Sequence, residues 1–102
     1  MQEFILMISY TSKGTLELAR ALDEDDAPLR AILSKHEISV EDVRLTWGSF
    51  HKVLTCVAAD SQAIGRAMDS LRSVKDLRSD VLLIFPREQY VALLHGMGSQ
   101  RT

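Results

Sequence analysis

Val81-Leu82-Leu83-Ile84-Phe85 contains no polar residue. A strand with one face in water alternates apolar and polar side chains, so this stretch reads as a strand covered on both faces. Three other stretches are largely apolar on both faces: Phe4-Ile5-Leu6-Met7-Ile8, the segment Val43 to Trp47, and Val53-Leu54-Thr55-Cys56-Val57-Ala58, in which only Thr55 interrupts. Four such strands need apolar cover on two sides. The helices between them suffice for one side.

The first strand runs from about Glu3 to Tyr10 and ends in Thr11-Ser12-Lys13-Gly14, where Gly14 permits a sharp turn. Leu16, Leu18, Ala19 and Leu22 suggest a short helical piece. The acidic run Asp23 to Asp26 reads as a solvated loop that also suits a helix start before Pro28. Leu29, Ile32, Leu33 and His36 continue at helical spacing to about Glu37, so the first crossover reads as a two-part helix. Strands over about Glu41–Trp47 and Lys52–Ala59, separated by Gly48-Ser49-Phe50-His51, read as a hairpin.

Asp60 or Ser61 caps the next helix, whose apolar face is Ala63, Ile64, Ala67, Met68 and Leu71. Gly65 weakens that helix slightly and suggests close packing. The last strand spans about Asp80 to Phe85. Pro86 ends it and opens a helix carrying Tyr90, Val91, Leu93 and Leu94, which Gly96 and Gly98 stop. Residues 1–98 form one domain, and Ser99 to Thr102 a frayed tail.

The order β-α-β-β-α-β with an appended helix predicts an α+β, ferredoxin-like fold with a four-stranded antiparallel sheet and helices on one face. The other face is left for a partner. A second copy, sheet against sheet, is the expected one, with further assembly through the terminal helix as an extension. A specific interface buries about 800 Å² per partner, and one sheet face is of that order. Aspartate at Val57 or Leu54, whichever faces outward, should then abolish assembly.

Composition narrows the function. The chain has 102 residues and a net charge of -2, which argues against a nucleic-acid partner. Its single cysteine, Cys56, rules out an internal disulfide and lies in an apolar strand, where a buried, inert thiol is expected. The run Ile5 to Ile8 is too short for a membrane span and lacks the basic lead-in of a signal peptide. The expected location is the cytoplasm. His36, His51 and His95 show no local metal-ligand spacing, and neither metal nor cofactor is called for.

Candidate site residues gather around the hairpin. His51 can exchange protons or ligate a metal, and Tyr10 at the end of the first strand offers an apolar wall with a polar tip. These two are the catalytic candidates. Trp47, Gly48, Phe50 and Arg44 are the ligand-binding candidates: Trp47 as an apolar wall, and Arg44, on the opposite strand face from Val43 and Leu45, as an anion contact. The bland readings are a histidine beside a turn, a packed tryptophan and an ion-paired arginine.

The hairpin segment Thr46-Trp47-Gly48-Ser49-Phe50-His51 resembles the signature of GYD-domain proteins, small bacterial proteins with a Gly-Tyr-Asp motif near the end of strand two. Gly48 matches the glycine, while Phe50 replaces the tyrosine and His51 the aspartate. The opening strand ending at Tyr10-Thr11, the Gly14 turn, and Leu82 to Phe85 followed by a short helix extend the resemblance over nearly the whole chain. It implies membership of the dimeric α/β-barrel group, in which two ferredoxin-like sheets face one another. Because the phenol and carboxylate are replaced, roles of those groups do not carry over.

Three functional readings follow. One is a binding or regulatory module holding a small, mostly apolar ligand between sheet and helices. A second is a cofactor-independent monooxygenase or isomerase using His51, Tyr10 and Trp47. The third is an assembly element with a solid interior. A metallochaperone would need paired cysteines where Thr11-Ser12-Lys13-Gly14 stands, and an RNA-recognition motif would need aromatics in Lys52 to Ala59, which has none.

Overall fold

The computed structural model describes residues 1–10, 20, 27–74 and 77–100. The Thr11 to Gly14 turn, the helical piece from Leu16 to Leu22 and the acidic run Asp23 to Asp26 lie outside the described residues. The elements are β1 (Gln2–Tyr10), α1 (Ala27–Lys35), β2 (Ser39–Leu45), β3 (Lys52–Ala58), α2 (Ser61–Arg72), β4 (Leu77–Ile84) and α3 (Arg87–Gln100). The strands form one antiparallel sheet in the order β2-β3-β1-β4, which is the ferredoxin-like arrangement.

Alternation along the strands divides the sheet into two faces. Phe4, Leu6, Ile8 and Tyr10 of β1 and Leu54, Cys56 and Ala58 of β3 are buried on the helix-bearing face. They pack with Leu29 and Leu33 of α1 and Ala63, Ile64, Ala67 and Leu71 of α2. Burying each such large side chain contributes about 1.5–3 kcal/mol. Leu54 therefore belongs to the core, and Val57 is the outward residue of the pair considered for charging.

Local chemistry sets the helix ends. The Asp60 side chain accepts from the Ala63 N–H at 2.8 Å and caps α2. The α1 end closes as a Schellman motif: the Ile38 N–H donates to the Leu33 carbonyl at 2.9 Å and the Glu37 N–H to the Ser34 carbonyl at 3.0 Å. Glu37 occupies the left-handed position, with φ 58°. His36 Nε2 meets Ser70 Oγ at 2.9 Å, tying α1 to α2, so this histidine is structural.

Several expectations need correction. β2 starts at Ser39 and ends at Leu45, so Trp47 lies in the hairpin loop rather than in a strand. Its outward residues Ser39, Asp42 and Arg44 are polar, hence β2 is apolar on one face only. A register irregularity between Val40 and Asp42 places Glu41 outside the simple alternation. Gly65 serves no close contact among the described residues: a Cβ there meets none of their atoms within 4 Å. Finally, α3 continues through Gly96 and Gly98 to Gln100, because glycine in a helix costs only about 1 kcal/mol and does not by itself break it.

Candidate functional site

The β2–β3 connection is closed by Thr46 and His51. The Thr46 N–H donates to the His51 carbonyl at 2.9 Å, and Thr46 Oγ1 donates to the Phe50 carbonyl at 2.6 Å. The His51 N–H donates to the Ile8 carbonyl at 2.8 Å, although Lys52 stands opposite Ile8. Two residues thus answer to one, as in a β-bulge, and such an insertion re-aims a side chain. The His51 ring stacks against buried Tyr10, with centroids 6.0 Å apart and planes 25° from parallel. Its Nδ1 accepts the Tyr10 N–H at 3.0 Å. Neutral imidazole in that role carries its proton on Nε2.

The structure therefore brings His51 and Tyr10 together and leaves the other candidates apart. Trp47 is 96% exposed at the loop tip, apart from them. Gly48 has φ +152°, a conformation that side chains rarely adopt, so the turn itself demands glycine there. Phe50 is half-buried. Arg44 lies on the far face of the sheet, where Nε donates to Asp42 Oδ2 at 3.0 Å in an exposed pair.

That far face is the larger feature. Cross-strand registers arrange its side chains in rows. One row is Ser39, Val57, Glu3 and Ile84; the next is Asp42, Thr55, Ile5 and Leu82; the third is Arg44, Val53, Met7 and Asp80. Its centre is apolar, formed by Ile5, Met7, Val53, Val57, Leu82 and Ile84. Charged residues stand on the two edge strands and, as Glu3, at one end of β1. Leu82 is 53% exposed. The two helices that close the core, α1 and α2, lie on the opposite face, and α3 leaves Tyr90, Leu93, Leu94 and Met97 in solvent.

On the helix-bearing side, the layer between sheet and helices is filled by Phe4, Leu6, Ile8, Leu33 and Leu71, each almost wholly buried. Among the described residues the centre of that layer is core, so open space between sheet and helices is found at its edges. Two open hollows flank it. A groove of about 610 Å³ lies between α2 and β4, with Ile64, Met68, Val81 and Leu83 among its walls. Another of about 500 Å³ lies where α1 passes into β2.

Cys56 is fully buried, and burial pushes its thiol up to about 11, with the Glu41 carboxylate adding to the shift. Such a thiol is no nucleophile near neutrality. Among the described residues, no three His, Cys, Asp or Glu side chains gather to hold a metal, and no helix is long and apolar enough to cross a membrane.

Reading strands one at a time misses the charged edges of the far face, because their pairing emerges only from register. The alternation within Leu77–Ile84, where Arg78, Asp80 and Leu82 share one side, was the available signal.

Fold and sheet order define an α+β domain of ferredoxin-like type. Comparison with solved structures agrees. The crystal structure of FFRP-DM1 is similar over 83% of this chain and 100% of its own, with a TM-score of 0.58 at 8% identity. The ACT domain from GTP pyrophosphokinase of Chlorobium tepidum is similar over 80% of this chain and 97% of its own, with a TM-score of 0.52 at 15% identity. These likenesses are of fold. No family model matches the sequence, and neither does any curated protein.

Proposed function

We propose that this chain is a GYD-like cytoplasmic module that pairs sheet to sheet as a homodimer and holds a small, mostly apolar ligand between the facing sheets. The carrying observation is the apolar centre of the far face, which α1 and α2 leave uncovered. Exposed apolar patches beyond a few hundred Å² are uncommon on soluble monomers and mark interaction surfaces. Twisted sheets packed face to face stay about 10 Å apart and diverge toward their corners, which leaves room for a ligand at the margin of the apolar centre, beside Leu82 and Ile84. Thr55 and Arg44 supply polar groups at that layer.

Gly48 supports the GYD-like reading of the hairpin, since its backbone requires glycine where the signature has one. His51 works within this turn. With Nδ1 engaged by the Tyr10 amide, it locks the hairpin to the end of β1. That reading sets the monooxygenase or isomerase alternative behind the binding module.

Native mass spectrometry of protein purified from its own source tests the proposal in one measurement. The expected species is a dimer carrying a noncovalent small molecule. A stable monomer at micromolar concentration overturns the proposal. A dimer that carries nothing, and takes up no apolar fluorescent probe, overturns the ligand half and leaves an assembly element.

A further inference from the structure

Arg44 and Asp80 stand at opposite ends of one row: Arg44 opposite Val53, Val53 opposite Met7, Met7 opposite Asp80. Three strand spacings separate them, about 14 Å, so the two cannot meet within one chain. Both are exposed on the far face. Among the described residues, Asp80 makes no ion pair; its Oδ1 accepts only the neighbouring Val81 N–H, at 2.9 Å. The Arg44 side chain is 79% exposed and holds Asp42 through Nε, which leaves the outer guanidinium nitrogens for a second carboxylate.

A two-fold interface lays the same patch on itself, and only two orientations keep the strands aligned. With the axis along the strands, β2 of one copy lies over β4 of the other, and each row meets itself reversed. Arg44 then faces Asp80 of the second copy twice, with Val53 on Met7 between the two contacts. With the axis across the strands, β4 lies over β4, and Asp80 meets its own strand's residues, Leu82 and Ile84 among them. Reversal of the other rows lays Glu3 on Val57 and Asp42 on Leu82, and the crossed orientation also leaves Glu3 on apolar side chains. The choice therefore rests on Asp80: it meets Arg44 in the first orientation and apolar side chains in the second.

We infer that the two copies associate with their two-fold axis along the strands, held in register by reciprocal Arg44–Asp80 ion pairs at the edges of an apolar centre. The inference rests on the sheet-to-sheet reading above and fixes its geometry. Twist does not defeat it. Sheets crossing at about 30° displace an edge strand some 7 Å from the axis by about 4 Å, less than the roughly 7 Å between successive residues on one face. Arginine's length covers the remainder. The pairs give orientation and partner discrimination more than raw affinity, as rim charges generally do.

The test uses full-length Arg44→Asp and Asp80→Arg chains and the double variant, with folding checked by circular dichroism. Each single variant places like charges together twice and should weaken the dimer at least tenfold in sedimentation velocity; the double variant should recover to within a few-fold. Mixing the two single variants restores both pairs, so native mass spectrometry should find the mixed dimer well above statistical proportions. A wild-type dimer with unaffected single variants, or a statistical mixture, overturns the axis and leaves the sheet-to-sheet dimer standing. Tightening by Asp80→Leu also overturns it and favours the crossed orientation. A monomeric wild type overturns the underlying reading itself.

Discussion

His51 shows how a residue's chemistry is set by what holds it. A histidine beside Tyr10 suggests an acid–base pair, yet Nδ1 is engaged by a backbone N–H and the ring stacks on a buried phenol. Cys56 is the second case. Its thiol sits at about 11, raised from an ordinary value of 9.0 by burial and then by Glu41. A raised folded value favours the neutral form in the fold. Its contribution is therefore intact below pH 9 and is lost between about pH 9 and 11, as the unfolded chain ionises first. The loss totals roughly 2–3 kcal/mol. Urea midpoints of wild type and Cys56→Ala across that range should show the steeper fall in wild type, and a thiol reagent at pH 8 should react only on unfolding. Glu37 holds a left-handed conformation that costs a side-chain-bearing residue about 1 kcal/mol. Glu37→Gly should raise stability by about 0.5–1 kcal/mol, read as a higher urea midpoint with unchanged slope.

Among elements, α2 illustrates a helix that pattern and capping define together. Ala63, Ile64, Ala67 and Leu71 fall on one buried face, and Asp60 starts it. Gly65 is exposed with open space around its Cβ position, so Gly65→Ala should stabilise by about 0.5–1 kcal/mol in thermal unfolding. A drop instead would mean that the space beside α2 is occupied in solution. The strands and these helices were legible because alternation and the 3.6-residue spacing are local properties. The ends of β2 and α3 were not. Where β2 stops depends on its pairing with β3, and α3 continues past two glycines that sequence rules read as a stop.

At the scale of the molecule, the two faces of the sheet predict opposite outcomes for one substitution. Val57 and Leu54 lie three residues apart on β3, Val57 on the far face and Leu54 in the core. Val57→Asp should leave a folded chain that light scattering reports as a monomer. Leu54→Asp should unfold it, since an unpaired carboxylate in the core costs several kcal/mol against a total stability of about 5–15 kcal/mol. Equal loss of structure in both would place Val57 in the core as well.

The sequence by itself determined the element order, the ferredoxin-like sheet and the existence of a second apolar face, because hydrophobic periodicity records burial directly. Of the candidate site, it named His51 and Tyr10 without pairing them and misplaced Trp47. Only the tertiary structure decided that Leu54 faces inward and Val57 outward, that Trp47 stands in water, and that Arg44 and Asp80 share a row. Each of those depends on register: a strand's alternation says which residues share a face, but only pairing with its neighbours says which face it is and what lies beside it.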